Sequence, residues 1–495
     1  MSREQLIDLD KKQLGLLKKI IRQHIPDKTV WAYGSRVTWK ANEISDLDLA
    51  VFECNSTQIS SLKEEFEESD LLISVDVMDW ESIPEKFKEN IKKKYVVLQE
   101  KTKLEGWREV KLGDVADINP TESISKGEKL PKVLMDFLVP FTKRIPKYVL
   151  GVYKGGSKFK NGDTLVARIT PCLENGKTSF VDFLENGKVG FGSTEFIVLR
   201  ERKNITNKHF LYYLAISNNF REVAIKSMTG TSGRQRVQTE VIVKHKFLLP
   251  PFPEQKAIAE VLSSLDDKID LLHRQNKALE NIAQTLFRQW FVEDANDDWK
   301  ERPLDEMADY LNGLACQKHP AKNEIDKLPV LKIKELRNGF TENSDWATSE
   351  IEEKYIIQIG DIIFSWSGSL MLKIWDGQKC VLNQHLFKVT SEQYPKWFYY
   401  FWTKHHLEKF IAIANSKATT MGHIKRGDLS SSMVLTPADN TLKIMNKKIM
   451  PVFEKKILNI KQISTLENLR DTLLPKLMIG TVRVNTNDIG KKPCS

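Results

Sequence analysis

Three carboxylates near the start of the chain are the residues best placed to do chemistry. Asp46 and Asp48 lie two apart at a strand predicted over 47–52, so they project from one face. Asp76 belongs to a later strand, predicted over 72–77. Three converging carboxylates suit Mg²⁺, which takes oxygen ligands and substrate phosphates. Gly34 and Ser35 follow a strand predicted over 30–33, where backbone N–H groups and a hydroxyl can hold a triphosphate, and Arg36 completes that run as a nucleotide-binding candidate. Two metals about 4 Å apart can align an acceptor hydroxyl and stabilise a leaving pyrophosphate. Asp79, three residues beyond Asp76, falls off its face and reads as surface.

This stretch, about residues 1–98, resembles the minimal nucleotidyltransferases of the DNA polymerase β-like superfamily. The Gly34–Ser35 pair and all three acidic positions match. The resemblance implies Asp46 and Asp48 as Mg²⁺ ligands, Asp76 as the third carboxylate (ligand or base for the acceptor) and Ser35 as a contact to the phosphates of an NTP. One departure is visible: many relatives carry Gly shortly after the arginine, where this chain has Val37, Thr38 and Trp39.

An amphipathic helix with Leu14, Leu17, Ile21 and Ile25 at steps of three to four is predicted ahead of these strands. A polar connection over 99–106 then marks a domain boundary. Beyond it the chain is written twice. Each copy opens on Trp (Trp107, Trp299) and an Ala-Asp pair (Asp117, Asp309). Each has a hydrophobic segment entered through Gly-Asp (Gly162-Asp163, Gly360-Asp361), where a turn role suits the Asp better than acid–base work. Each has an aromatic helix candidate (210–213, 397–400) and closes on Leu-Xaa-Pro before a long helical pattern. After the first copy, Ile258, Leu262, Leu265, Ile269, Leu272, Asn276, Leu279, Ala283 and Leu286 form a heptad seam. Asn276 either fixes register or sits at the edge of the seam. After the second copy, Met450, Phe453, Ile457 and Ile460 give one phase, and Leu466, Leu469 and Leu473 resume after a slip near Ile463. Such helices need a partner for their stripes. An antiparallel pair is the reading, against the alternative that each packs on its own domain.

The duplicated part, 107–480, resembles the specificity (S) subunit of type I restriction–modification systems. The likeness lies in RITPCLENGK (168–177), GSTEFIVL (192–199), MTGTSGRQRV (228–237) and LPPFPEQKAIA (249–259). GDIIFSWSG (360–368) and NQHLFK (383–388) are the matching runs of the second copy. The resemblance implies two target-recognition domains, each reading half of a split, asymmetric double-stranded DNA site, with the helix pair as a ruler. Methyltransferase (M) subunits with S-adenosylmethionine and a restriction (R) subunit with ATP would be its partners, and the specificity portion itself would hold no cofactor. Readers need long polar side chains on loops that reach base edges. Arg168, Lys177, Arg234, Gln235 and Arg236 are the candidates in the first copy. Lys417, Lys425 and Arg426, beside Thr419, Thr420 and His423, are those of the second, while Ser365, Trp366 and Ser367 read rather as core and turn.

The expected fold is α+β and multidomain. It comprises a nucleotidyltransferase-like domain (1–100), a recognition domain (107–252), a spacer helix (253–292), a second recognition domain (299–440), a second spacer helix (441–480) and a tail (481–495). The 495 residues carry a formal charge of +9, which favours a polyanionic partner. No apolar stretch nears the ~20 residues of a membrane span, and the N-terminus lacks a signal-peptide core, so a cytoplasmic location without membrane contact is expected. Cys54, Cys172, Cys316, Cys380 and Cys494 are scattered, which argues against a zinc site or a disulfide framework, and a Cys380–His385 couple is not adopted as catalytic. The rival function is a metal-dependent nucleotidyltransferase acting on protein or RNA, with the duplicated part as a docking module.

Overall fold

The computed structural model describes residues 7–25, 28–42, 45–100, 104, 106–231, 233–323, 325–341, 343–416 and 422–484. It divides into two compact units: residues 1–263 with 471–495, and residues 264–470.

The first unit opens with a four-stranded sheet. In chain order it contains α1 (Lys11–His24), β1 (Val30–Tyr33), α2 (Ser35–Thr38), β2 (Leu47–Val51), α3 (Ser56–Glu68), β3 (Val75–Asp79), α4 (Glu85–Lys93) and β4 (Val96–Gln99), with strand order β3-β2-β1-β4. Asp10 starts α1 by accepting the amides of Lys12 and Gln13 at 2.8 and 3.0 Å. Leu17, Ile20 and Ile21 of α1 then pack with Leu62 and Phe66 of α3 onto Leu47, Leu49, Val51 and Val77. That leaves the even-numbered positions of β2 on the other face. The third strand begins later than expected: Leu72 is 83% exposed and lies in the lead-in, its amide held by Gln13.

The recognition domain of this unit contains β5 (Arg108–Lys111), α5 (Leu112–Val115), β6 (Ala116–Ile118), β7 (Lys129–Val133), β8 (Val149–Val152), β9 (Lys158–Phe159), β10 (Thr164–Ala167), β11 (Thr178–Phe180), β12 (Gly190–Gly192) and β13 (Phe196–Glu201). Then follow α6 (Lys208–Ile216), α7 (Asn218–Lys226), α8 (Thr239–Lys244) and β14 (Lys246–Leu249). One sheet runs β11-β10-β13-β6, a second β8-β7-β12-β9, and β14 pairs with β5. The central sheet is buried on both faces. Val166, Ile197 and Leu199 join a core with α6, while Leu165, Phe196 and Val198 face a second, smaller core. Two-sided burial explains why these strands read as continuous apolar runs.

The second unit repeats this plan strand for strand. Asp309–Asn312, Leu386–Thr390, Ile362–Ser365 and Met371–Ile374 form a sheet in that order, matching β6-β13-β10-β11. Trp346–Thr348, Lys327–Leu331, Cys380–Leu382 and Ile356–Ile357 match β8-β7-β12-β9, and in both sheets the middle pair alone is parallel. Lys300–Pro303 with Met433–Thr436 matches β5 with β14. The aromatic segment lies in a helix, Lys396–Ser416, with Trp397, Phe398, Tyr399 and Tyr400 buried.

Two long helices, Phe252–Arg288 and Asp439–Met478, follow the two domains. Both readings of them hold, at different places. Within the first unit, Ile258 and Leu262 of the first helix and Leu474 and Leu477 of the second join the recognition-domain core. Within the second unit, Ala283, Phe287, Met445 and Phe453 join that domain's core. Between these anchorages, Ile269, Leu272, Ile463 and Leu466 pack helix on helix. Asp266 meets Arg470 (2.9 Å), Gln275 meets Asn459 (3.5 Å) and Glu280 meets Lys456, so one helix descends as the other climbs. Asn276 of the first helix is buried. It is 9% exposed, and its Oδ1 accepts no hydrogen bond from the described residues.

Candidate carboxylate site and nucleic-acid interface

The strand register builds the carboxylate site. Tyr33 of β1 pairs with Asp48 of β2, and Asp48 pairs in parallel register with Asp76 of β3. The three side chains therefore form one row across the sheet, and Asp46 lies two residues before Asp48, at the exposed entry to the strand. Burial, then Asp76 and Asp46, hold the Asp48 carboxyl above the usual carboxylate range. Burial, with Asp48 and Asp76, pushes the Tyr33 phenol up to about 12, so it stays protonated, and its hydroxyl meets Met78 Sδ at 3.3 Å. Gly34 follows with φ +84°, and a Cβ there would sit 2.1 Å from Asp48 Oδ2. The glycine is required twice, by its backbone angle and by the carboxylate above it.

The expected residues of this site differ in what they touch. Arg36 is engaged by the backbone. It is 7% exposed, its Nε donates to the Ser45 carbonyl (2.9 Å) and its Nη1 to that of Asp8 (3.1 Å), so it ties the Gly34 turn to the entry of β2. Among the described residues, no three His, Cys, Asp or Glu side chains stand close enough to hold a metal ion as they are. Asp76 leans instead toward Lys63 of α3, at 3.6 Å. Asp79 is a cap, accepting the Glu81 amide at 3.2 Å. The donor set still fits a divalent cation, because the crowded negative charge felt at Asp48 is what such an ion relieves. Trp39, at the position of the expected Gly, takes the left-handed conformation (φ 58°) that ends α2 and is 54% exposed. Sequence reasoning missed Tyr33 and Lys63. Both depend on register and helix placement, and only the position of Tyr33 beside Gly34 hinted at its part.

In the recognition domains, several of the expected reading side chains bond within their own domain. Arg236 grips Glu195 through two nitrogens at 2.8–3.0 Å, which holds that carboxyl low. Arg168 donates to the Val237 carbonyl (3.4 Å), and Lys177 to that of Met135 (3.2 Å) beside Asp136. Arg234 is exposed and Gln235 half-buried. In the second copy, Arg426 donates to the Tyr310 carbonyl (3.3 Å) and covers the Phe387 ring, while Lys425 is exposed. Lys417, Thr419 and Thr420 lie outside the described residues. Trp366, His423, Lys425 and Arg426 with Asn312 and Phe387 line a cavity of about 270 Å³. Ser365 and Ser367 are buried, and the Ser365 hydroxyl donates to the Ser367 carbonyl (3.1 Å). Asp163 and Asp361 play one part in both copies. Each accepts an amide in the tight turn before its strand and an ion pair from the neighbouring strand, Arg200 at 2.7 Å and Lys388 at 3.0 Å. Burial pushes the Cys380 thiol far up, while His385 Nδ1 lies 3.2 Å from the Ser367 hydroxyl.

The junction LPPFPEQ works through two buried side chains. Glu254 accepts Trp107 Nε1 (2.9 Å) and both arms of Arg483 (2.5 and 2.8 Å). Gln255 accepts the Asn207 amide and donates to the Ile205 and Pro250 carbonyls. These bonds fix the start of the first long helix on its domain.

Comparison with known proteins gives two families. The profile described as type I restriction modification DNA specificity domain matches residues 104–281 and again 296–468. That of the polymerase β nucleotidyltransferases matches 7–104. The type I restriction enzyme MjaIX specificity subunit of Methanocaldococcus jannaschii is 28% identical over 303 residues, covering 56% of this chain and 69% of its own. The HindI specificity subunit of Haemophilus influenzae is 23% identical over 473 residues, covering 76% and 99%. The probable protein adenylyltransferase MntA of H. influenzae is 47% identical over 100 residues, 20% of this chain and 88% of its own. A solved S subunit of a type I system from M. genitalium aligns at 16% identity and a TM-score of 0.47, covering 75% and 96%.

Proposed function

We propose, from the premise that the chain belongs to the family of type I restriction modification DNA specificity domains and carries a polymerase β-type nucleotidyltransferase domain ahead of them, that it is the DNA-reading subunit of a type I complex. The observation that carries this reading is the exact repetition of strand order in two domains, each followed by a long helix. Two like readers on one chain suit a split site with two different halves. Arg234, Gln235 and Lys425, exposed or half-exposed on loops, are proposed contacts to bases or phosphates, with Lys417 beside them in sequence; Arg168, Lys177, Arg236 and Arg426 act mainly by shaping those loops. M subunits with S-adenosylmethionine would methylate adenine, and an R subunit with ATP would cut. The test is to purify the chain with its methyltransferase partners and map methylated adenine genome-wide. A split motif of fixed spacing is expected, and the absence of any motif would reject the reading.

For the N-terminal domain we propose nucleotidyl transfer. Asp46, Asp48 and Asp76 would hold Mg²⁺, which would supply charge neutralisation at the triphosphate when bound. Ser35 would donate to a phosphate oxygen, and Asp76 would take the proton of an acceptor hydroxyl. The acceptor oxygen bonds to the α-phosphorus as the bond to pyrophosphate breaks. Identity of 47% to a probable protein adenylyltransferase favours ATP and a protein hydroxyl, and supports the second reading, an enzyme docked through its duplicated part. Incubating the full chain with labelled ATP and Mg²⁺ tests this site. Label transfer that survives Asp46→Ala/Asp48→Ala would reject it.

A further inference from the structure

The outer edge of one sheet in the first recognition domain carries an apolar face that no packing in that domain explains. Strand β8 is the edge of β8-β7-β12-β9, and Val149, Leu150 and Val152 are all exposed, Leu150 at 60%. An edge strand bearing bare aliphatic side chains invites association and is normally blunted. Here β7 and β8 form an antiparallel ribbon in which Leu150 pairs with Pro131 and Val152 with Lys129, so Leu150, Val152 and Lys129 stand on one face. The opposite face carries Lys132, Gly151 and Val149, of which Val149 is 43% exposed. Lys132 lies over the Phe191 ring, and a Cβ at Gly151 would come within 3.0 Å of the Lys132 chain. The ribbon extends through the Gly127–Tyr153 and Tyr153–Glu128 backbone bonds to an end where Lys126 and Lys154 are exposed.

Charge decides what such a face meets. Between 126 and 160 the chain has eight Lys and one Arg against one Glu and one Asp, an excess of seven positive charges in a chain whose whole excess is nine. The second domain, considered by itself, has the same ribbon. Lys327 stands at the rung of Lys129, Pro329 at that of Pro131, and Trp346, 44% exposed, at that of Leu150. Lys, Pro and one exposed apolar side chain thus recur at the same rungs in both copies, while Thr348, at the rung of Val152, is buried.

Resting on the reading of the chain as a DNA-specificity subunit, we propose that these ribbons are the base-reading elements of the two domains. Each would enter the major groove of duplex DNA, which admits a two-stranded ribbon, with lysines on phosphates or guanine edges. Leu150 and Val152 in one domain and Trp346 in the other meet base edges and thymine methyl groups. The ribbons therefore set which bases each half-site demands.

The test uses the full chain in complex with its methyltransferase partners. Leu150→Ser/Val152→Ser is expected to make one half of the methylated motif degenerate and leave the other intact, and Trp346→Ser to do the converse. Lys126→Gln/Lys129→Gln/Lys154→Gln, which removes only exposed charges, is expected to weaken binding to the motif duplex and lower the slope of log affinity against log salt by about 2 to 3. An unchanged motif and slope in all three variants, beside a split motif for the wild type, would overturn the ribbon assignment and leave the specificity reading intact. A wild type without any split motif would overturn both. An unchanged motif with altered complex stoichiometry would assign the edge to protein pairing and overturn the proposal.

Discussion

At the scale of single residues, the carboxylate site shows how tightly one position is fixed by another. Gly34 holds a left-handed angle and lies under Asp48, so substitution acts on both at once. Gly34→Ala is expected to cost roughly 1–3 kcal/mol, from the angle and from the displaced carboxylate. Label transfer should fall to the background of the Asp46→Ala/Asp48→Ala chain. Thermal unfolding and the transfer assay, run side by side, check this, and wild-type transfer in the variant would separate Asp48 from the reaction. Arg36 shows the reverse case. A cation in the right place of a motif bonds two backbone carbonyls and orders the loop.

At the scale of elements, the long helices are held by a few charged groups as well as by the seam. Glu280 of the first helix pairs with Lys456 of the second and Lys404 of the domain helix, and accepts the Tyr400 hydroxyl at 3.1 Å. Burial alone would push its carboxyl up, yet Lys456 and Lys404 hold it below the usual range. A depressed carboxylate stabilises the fold above its unfolded pKa of about 4, and that contribution is lost as pH falls through the lower folded value. Glu280→Gln leaves two lysines without their counter-charge, at a cost of the order of 3 kcal/mol near pH 7. Urea unfolding of both chains should show a gap at pH 7 that closes below pH 4. A gap independent of pH would mean that the carboxylate's charge is not what holds these elements.

At the scale of the whole molecule, the proposed ruler makes a metric prediction. Seven residues add about 10.5 Å to a helix, or about three base pairs of B-form DNA. Inserting one heptad after Leu272, with its match in the second helix, is therefore expected to lengthen the unread spacer of the methylated motif by about three base pairs. The adenine methylome of cells carrying the altered chain reads this directly. An unchanged spacer would remove the ruler from the account, while both recognition domains kept their halves.

Sequence by itself determined the duplication, the presence of two long helices and the acidic row of the N-terminal domain. These rest on local rules: strand alternation puts Asp46 and Asp48 on one face, and a heptad pattern declares its helix. The shared strand-entry role of Asp163 and Asp361 was legible for the same reason, since Gly-Asp turns are local. Only the tertiary structure decided what distant side chains do. Arg36 and Arg236 read as cations on loops, and only the fold brings the Ser45 carbonyl and Glu195 beside them, 9 and 41 residues away. Each long helix starts on the core of its own domain, and the C-terminal end of each joins the core of the other domain, because burial there depends on which core is near. The exposed ribbon of Lys129, Leu150 and Val152 was invisible in the same way. A strand's apolar residues read as core until the fold places that strand at an edge with nothing against it.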